Sequence, residues 1–309
     1  GSTGYQYPPR KYTIPNDLLV TGKNTITIRL INQQGKGGFI MDKPYFLSVG
    51  KDSIDLKGSW KYQLGTIMEA LPEPTFIRWQ PSGLFNSMIA PLLNYKIKGA
   101  IWYQGESNTQ NPKLYYNTFP ALINNLRARW NIGNFPFIYV QLANYMAEAF
   151  MPSESNWAEL RNAQLNTLKL ANTGMVVATD LGEWNDIHPL DKKSVGHRLA
   201  LNAQKLAYHK NVVISGPIFK SSEIRDNQIV IYFEEVGSGL MAKDGLALRQ
   251  FQISGPDKNF VWADAKIVEN TVVVKNDSVA NPTYVRYAWA DNPFGANLYN
   301  KEGLPAAPF

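Results

Sequence analysis

Short apolar runs alternate with longer segments of helical spacing between about residue 60 and residue 212. Apolar runs at residues 135–141 and 175–179 have the length and composition of buried strands. Segments with apolar residues three or four positions apart, as in helices, occupy residues 115–130, 157–170 and 192–209. Strands that alternate with helices are typical of a parallel sheet covered by helices. The order therefore predicts an α/β fold over residues 61–212.

The two flanks of this region carry strand patterns instead. Residues 25–31 alternate between apolar and polar, and residues 34–38 are a glycine-rich turn cluster. After residue 212, strand-like runs separated by Gly, Pro and Asn occupy residues 228–233, 248–253, 259–262, 271–275 and 284–288. We therefore predict a β-rich domain at residues 1–60, jelly-roll-like or part of one, and a C-terminal β-sandwich at residues 213–309.

Two polar loops stand out within the α/β region. Trp-Tyr-Gln-Gly-Glu-Ser-Asn at residues 102–108 follows an apolar run, and Trp-Asn-Asp-Ile-His-Pro at residues 184–189 follows another. Each loop precedes a segment of helical spacing. Because α/β sheets bind their ligands beyond the carboxyl ends of the strands, we expect these loops to form one catalytic cleft.

Composition excludes several kinds of site. The chain has no cysteine, which excludes disulfides, thiolate metal sites and a cysteine nucleophile, and only three histidines, without His-x-x-x-His spacing, so we expect no zinc site. The net charge of +6 comes from scattered Lys and Arg, which argues against a nucleic-acid surface. No apolar run reaches the roughly 18 residues of a membrane span. A chain without cysteine fits either side of a bacterial inner membrane, and we expect a periplasmic or secreted protein.

Beyond the two loops, the sequence resembles the sialate O-acetylesterases, a branch of the SGNH hydrolases. The similar blocks cover residues 80–93, 97–108 and 186–189 and the closing stretches 287–294 and 297–309. The resemblance implies an SGNH-hydrolase-like parallel sheet domain flanked by β domains. It also implies a carbohydrate esterase that removes acetyl groups from O-acetylated sialic acids through an acetyl-serine intermediate, without metal or cofactor.

In this family the loop at residues 102–108 supplies the oxyanion donors, which implies that role for Gly105 and Asn108. A glycine lets its N–H approach the substrate, and an asparagine amide adds a second donor. A plain strand-to-helix turn with Asn108 as a helix cap is the alternative. Gln104, Glu106 and Ser107 are expected to bind substrate or to support the donors. Ser107 is also an alternative nucleophile, because Gly-Glu-Ser-Asn follows a strand.

His188 is the candidate general base, since an imidazole titrates near neutral pH and this one lies in a loop before a helix. The acid that orients it is less well defined. SGNH enzymes place that aspartate three residues before the histidine, where this chain has Asn185. Asp186, two residues before, is the candidate. The alternatives are that Asp186 only caps the helix or that a backbone carbonyl orients the imidazole, and Asp180 is the reserve.

One departure from the family pattern concerns the nucleophile. The family carries it in an early Gly-Gln-Ser-Asn block, and that tetrapeptide does not occur in this chain. We therefore expect the serine to come from an N-terminal segment or a subunit outside these residues, and the chain alone to be inactive. Two further readings remain open: an acetylesterase for xylan or another polysaccharide, and a non-catalytic module that binds glycan through its many Trp and Tyr residues.

Overall fold

A computed structural model of the chain describes residues 10–32, 38–39, 43–67, 69 and 81–309. The chain divides into two compact units, Gly1–Ser87 and Met88–Phe309. The domain limits predicted from the sequence, at residues 60 and 212, stay predictions. Short helical turns lie at Asn16–Leu18, Phe85–Ile89 and Ala90–Leu92.

Among the described residues of the first unit, the strands form one hairpin. Strand β1, Phe46–Val49, pairs antiparallel with strand β2, Asp52–Asp55. The turn between them passes through Gly50, whose φ of +62° suits glycine. Residues 25–31, predicted to be a strand from their alternation, form no strand in the described structure, and that prediction is wrong. The predicted turn at residues 34–38 falls almost wholly outside the described residues.

The second unit contains the predicted parallel sheet. Strand β3, Ala100–Trp102, lies beside strand β4, Phe137–Val140, which lies beside strand β5, Thr173–Val176. All three strands run parallel, with Ile101 opposite Ile138 and Ile138 opposite Gly174. The α/β fold expected from the sequence is confirmed.

Three helices follow these strands in turn: α1 at Pro112–Trp130, α2 at Asn156–Asn166 and α3 at Lys192–Leu206. Their starts have clear chemical causes. Proline opens α1, where its missing N–H is not needed. Ser155 Oγ accepts from Ala158 N at 2.9 Å to cap α2, and Asp191 Oδ1 accepts from Ser194 N at 3.0 Å to cap α3. Helix α2 is shorter than predicted, because residues Thr167–Lys169 tighten into a 3₁₀ turn.

The core of the parallel sheet is aromatic. Tyr115, Phe119 and Ile123 of α1, spaced four residues apart, face β4, and the rings of Phe119 and Tyr139 meet edge to face at 5.0 Å. From α2, Trp157 and Leu160 complete this layer. The helix positions therefore follow from the apolar stripe of each helix.

The rest of the unit is antiparallel. Its strands are β6 at Ile218–Arg225, β7 at Gln228–Glu234, β8 at Leu240–Ala242, β9 at Phe251–Ser254, β10 at Val261–Trp262, β11 at Asp264–Val268, β12 at Thr271–Lys275, β13 at Tyr284–Tyr287 and β14 at Leu298–Asn300. A four-stranded sheet of order β11-β12-β7-β6 and a three-stranded sheet of order β10-β9-β13 share one apolar core. The pair β8-β14 completes the set. The five predicted runs in this region each overlap an observed strand, whereas β6, β8, β11 and β14 were not predicted.

Two features bind the antiparallel part to the parallel sheet. Ala307, two residues before Phe309, lies in the core of the parallel sheet. Arg161 of α2 is fully buried and donates only to backbone carbonyls: those of Leu142 and Ala143 after β4, and those of Ala290 and Asp291 after β13. Burial lowers the pKa of this guanidinium to about 9, and the charge of Asp291 partly offsets that effect. No helix in the described part of the chain is long and apolar enough to cross a membrane.

Candidate functional site

The loop after β3 turns at Gly105, and the position admits no side chain. Its φ is +152°, and a Cβ there would lie 2.9 Å from Leu160 Cδ2 and 3.2 Å from Leu142 Cδ2. Both leucines are fully buried and cannot move aside. Gly105 is therefore needed for the close approach of this loop to α2 and to the segment after β4.

The two predicted oxyanion donors lie together at this turn. Residues Glu106–Gln110 form a 3₁₀-helix, and Asn108 N donates to Gly105 O at 2.8 Å. Within the described residues, neither the Gly105 N–H nor the Asn108 Nδ2 donates a hydrogen bond. The N-cap of α1 is Asn111, so Asn108 does not cap that helix. The loop thus presents two unused donors three residues apart.

A buried glutamine attaches this loop to the central strand. Gln164 of α2 donates from Nε2 to Gln104 O at 3.4 Å and to Val140 O at 3.3 Å. Its Oε1 accepts from Leu142 N at 2.9 Å. One side chain therefore satisfies backbone groups of the loop after β3 and of the segment after β4.

The loop that carries His188 follows β5, and hydrogen bonds to its own carboxylates hold its conformation. Asp186, only 8% exposed, accepts from the backbone N–H of His188 at 2.9 Å, and Glu183 accepts from Leu190 N at 3.0 Å. Between them, Ile187 packs against the core of the parallel sheet. His188 itself is exposed, which leaves the imidazole accessible from solvent.

Asp180, the second candidate for the acid that orients His188, forms its hydrogen bonds with other residues instead. Both of its oxygens accept from Arg198 of α3 at 2.7 Å, and Tyr299 OH donates to Oδ2 at 2.9 Å. Burial raises the pKa of this carboxyl, but the hydrogen bonds and charge of Arg198 outweigh burial, so the pKa lies below its ordinary value. Asp180 is a structural anion between α3 and β14.

Lys192 and Tyr103 bring the two loops together. Neighbouring strands lie about 4.8 Å apart, so the carboxyl ends of β3 and β5 are about 10 Å apart with β4 between them. Lys192, four residues after His188, places Nζ 4.9 Å from the ring centroid of Tyr103, two residues before Gly105. Burial, with a smaller effect of the Glu106 charge, raises the pKa of Tyr103 to about 12. This cation–π contact therefore connects the two loops that are predicted to form the cleft.

The remaining predicted residues have different surroundings. Ser107 is exposed and its hydroxyl makes no hydrogen bond to any other described residue, so the structure pairs it with no base. Glu106 is half-buried rather than exposed. Gln104 lies inside the loop and donates to Asn108 Oδ1 at 2.7 Å. The catalytic roles of Gly105, Asn108, Asp186 and His188 stay predictions.

Sequence reasoning missed the residues that hold the loops. Tyr115 was predicted only as part of a helix, and nothing in its spacing shows where its hydroxyl points. Gln164 did leave a signal, because it is a polar residue on the apolar stripe of α2 that contains Trp157 and Leu160. Among the described residues, no three His, Asp or Glu side chains gather in a way that could hold a metal ion.

Comparison with known proteins shows a family that is similar to the region of this site. A family profile described as carbohydrate esterase, sialic acid-specific acetylesterase, matches residues 57–205, which include both loops. Residues 57–205 are therefore similar to this family. The family region begins before β3 and ends within α3, so it contains the whole parallel sheet and all the candidate residues.

The similar proteins align with most of the length of this chain. The sialate O-acetylesterase of Mus musculus is 33% identical over 259 residues, which cover 74% of this chain and 47% of that protein. The one of Homo sapiens is 34% identical over 261 residues, 74% of this chain and 48% of that protein. The crystal structure of a carbohydrate acetylesterase from Xanthomonas citri has a TM-score of 0.71 and 43% identity, and the match covers 73% of this chain and 53% of that chain. The chain thus spans about half the length of the relatives it matches.

Proposed function

We propose that this chain forms the oxyanion-hole and general-base side of a carbohydrate O-acetylesterase that works by a serine-hydrolase mechanism. The observation that carries the proposal is the placement of two unused donors, Gly105 N–H and Asn108 Nδ2, and of His188 on neighbouring loops at one edge of the parallel sheet. The match of residues 57–205 to a carbohydrate esterase family supports it. The exposed His188 fits a base that must reach a substrate from solvent.

In the proposed reaction a serine oxygen attacks the carbonyl carbon of the acetyl ester while His188 takes the serine proton. The negative charge that forms on the carbonyl oxygen is stabilised by Gly105 N–H and Asn108 Nδ2. His188 then gives its proton to the leaving sugar oxygen, which leaves an acetyl-serine. Water, deprotonated by His188, attacks that ester, and the serine leaves with a proton and acetate as the product.

The serine itself is proposed to come from a Gly-Gln-Ser-Asn segment outside these 309 residues, on the same polypeptide or a tightly bound subunit. Two observations support this. The tetrapeptide is absent from the sequence, and Ser107 has no hydrogen-bonded base among the described residues. Removing a nucleophile from a triad leaves only the weak catalysis of binding and oxyanion donors.

The proposed substrate is an O-acetylated sialic acid. Its carboxylate is anionic at neutral pH, and Lys192 supplies a cation where the two loops meet. An acetylated neutral polysaccharide such as xylan is the second candidate, because the relative from Xanthomonas citri, named a carbohydrate acetylesterase, is more similar in sequence than the two named sialate O-acetylesterases. Acetate release from 9-O-acetyl-N-acetylneuraminic acid and from acetylated xylan, compared as kcat/KM, separates the two candidates.

The test of the mechanism is reconstitution. We expect the 309 residues alone to hydrolyse p-nitrophenyl acetate scarcely above background. Joined to the upstream segment that carries Gly-Gln-Ser-Asn, they should gain esterase activity and react with a fluorophosphonate at that serine. His188→Ala in the active protein should abolish turnover, whereas His197→Ala, on the exposed side of α3, should not. Strong fluorophosphonate labelling of the isolated chain at Ser107 would contradict the proposal and make this loop the source of the nucleophile.

A further inference from the structure

A short series of side-chain hydrogen bonds leads from helix α1 to Asn108. Tyr115 OH donates to Gln104 Oε1 at 3.1 Å, and the same hydroxyl lies 3.5 Å from Gln104 O. Gln104 Nε2 then donates to Asn108 Oδ1 at 2.7 Å. Asn108 Nδ2 ends the series, with no acceptor among the described residues.

Each hydrogen bond in this series has a defined donor and acceptor. Burial, together with the charge of Glu106, raises the pKa of Tyr115 to about 12, so the hydroxyl keeps its proton and can donate over the working range of an esterase. In the structure the hydroxyl donates to the carbonyl oxygen of the Gln104 side chain, and the Gln104 NH₂ group therefore lies towards Asn108. The Asn108 oxygen must then face Gln104, and its NH₂ group points the other way.

The orientation of the Asn108 amide decides what it can do for an oxyanion. With NH₂ outward it donates to negative charge that forms on a carbonyl oxygen. Rotated by half a turn, the same amide would present its own oxygen and repel that charge. An amide without a fixed partner samples both orientations, so a preset orientation favours the transition state.

We propose that Tyr115 and Gln104 are positioning residues, which hold the Asn108 amide with its N–H groups turned towards the reacting ester. The inference rests on the proposed function of Asn108 as an oxyanion donor. It adds two residues that do not touch the substrate and act only through Asn108. Tyr115 has a second, structural task, since its ring stacks on Phe119 with centroids 4.9 Å apart, and a test must separate the two.

Tyr115→Phe makes that separation, because it keeps the ring and removes only the hydroxyl. In the esterase-active protein that carries the nucleophile, we expect kcat for p-nitrophenyl acetate to fall about tenfold with KM unchanged, the size of one lost hydrogen bond. Tyr116→Phe is the matched control. The Tyr116 hydroxyl donates to Glu159 at 2.9 Å and accepts from Asn162 at 2.9 Å, away from Gln104, so kcat should stay within about twofold.

The decisive measurement is a double-mutant cycle with Asn108→Ala. If Tyr115 acts only through Asn108, Tyr115→Phe should lower kcat in the wild-type background and leave it unchanged once Asn108 is alanine. Equal losses of kcat in both backgrounds would overturn the proposal, and so would an unchanged kcat in Tyr115→Phe alone.

A second readout does not depend on turnover. The side-chain NH₂ signal of Asn108, followed by ¹⁵N relaxation in the full chain, should become more mobile in Tyr115→Phe and not in Tyr116→Phe. If the reconstituted protein proves to have no esterase activity, the proposed function fails, and this measurement still decides whether Tyr115 orders the amide. An Asn108 signal that is equally ordered in both variants would overturn the inference.

Discussion

At the scale of single residues, Gly105 carries two constraints that are normally separate. Its φ of +152° disfavours a side chain, and the space around its Cα is filled by Leu160 and Leu142. The first constraint acts through the backbone and the second through packing. Together they fix where the Gly105 N–H points, which is the property an oxyanion donor needs.

Gly105→Ala should therefore lower stability by roughly 2–6 kcal/mol, the sum of backbone strain of about 1–3 kcal/mol and overpacking of about 1–3 kcal/mol. Gly133→Ala is a matched control, because Gly133 also has a positive φ, +79°, but nothing lies within 4 Å of its Cβ position. Urea unfolding of both variants measures the difference. Equal losses in the two variants would show that strain alone, and not the contact with Leu160, makes Gly105 necessary.

How much of this site the sequence could predict differs between residues. Gly105, Asn108 and His188 could be named in advance, since their motifs resemble those of a family and the structure places them at one edge of the sheet. Tyr115 and Gln164 could not be assigned their contacts in the same way, because those depend on how α1 and α2 pack against β4. Distances across a fold are not encoded in local spacing.

At the scale of elements, Asp180 joins the end of β5, helix α3 and strand β14. Its carboxylate accepts from Arg198 and Tyr299, and Lys243 Nζ lies 3.8 Å away. Breaking a buried ion pair by removing one partner is costly, because it leaves the other charge buried and unpaired. The three elements therefore depend on one deprotonated carboxyl.

Asp180→Asn should lower stability by on the order of 3 kcal/mol at pH 7. The folded pKa of Asp180 is lowered, so its contribution is present above the unfolded value of about 3.9 and is lost as pH falls through the folded pKa. The gap between wild type and variant should therefore close below about pH 4. Thermal unfolding from pH 3 to 7 measures this gap.

Asp277→Asn serves as the control for that experiment, since Asp277 pairs with Lys275 on the surface and its side chain is 87% exposed. It should change stability by no more than about 0.5 kcal/mol at any pH. If Asp180→Asn kept the same deficit at pH 3 as at pH 7, protonation of Asp180 could not be the cause of the pH dependence.

There is a physical reason why some elements predicted from the sequence are present in the structure and others are not. Helix α1 was predicted from residue 115 and begins at Pro112, because its apolar stripe fixes the helix but its start depends on proline chemistry. Residues 25–31 alternate like a strand but pair with no strand in the described structure. A strand needs a hydrogen-bonded partner strand, and the alternation of apolar and polar residues describes only one of the two strands.

At the scale of the whole unit, Met88–Phe309 behaves as one folded body in its contacts. Ala307 fills the core under the parallel sheet, and Phe309 packs on Phe219 and Tyr287 of the antiparallel sheets. Arg161 adds a polar connection between the same parts. The α/β region predicted as a domain of its own thus shares its interior with the C-terminal strands.

Residues 1–212 expressed alone should accordingly lose cooperative unfolding. Arg161 would lose the carbonyls of Ala290 and Asp291, and each unsatisfied buried hydrogen bond costs about 1–3 kcal/mol. Near-UV circular dichroism and a thermal scan measure the result. A sharp unfolding transition with native-like aromatic signals would show instead that the α/β region folds independently.

The contacts of Arg161 also determine where the sequences of two homologous proteins could be joined in a chimera. Its four acceptors are backbone carbonyls, so the contacts of Arg161 depend on the path of the chain at residues 142, 143, 290 and 291 and not on side-chain atoms there. What must be inherited unchanged is the path of the chain after β13, which brings two of those carbonyls to the guanidinium. A crossover between β5 and β6 is therefore tolerated when both parents have a turn of equal length after β13, and a single insertion there should make the chimera fail to fold.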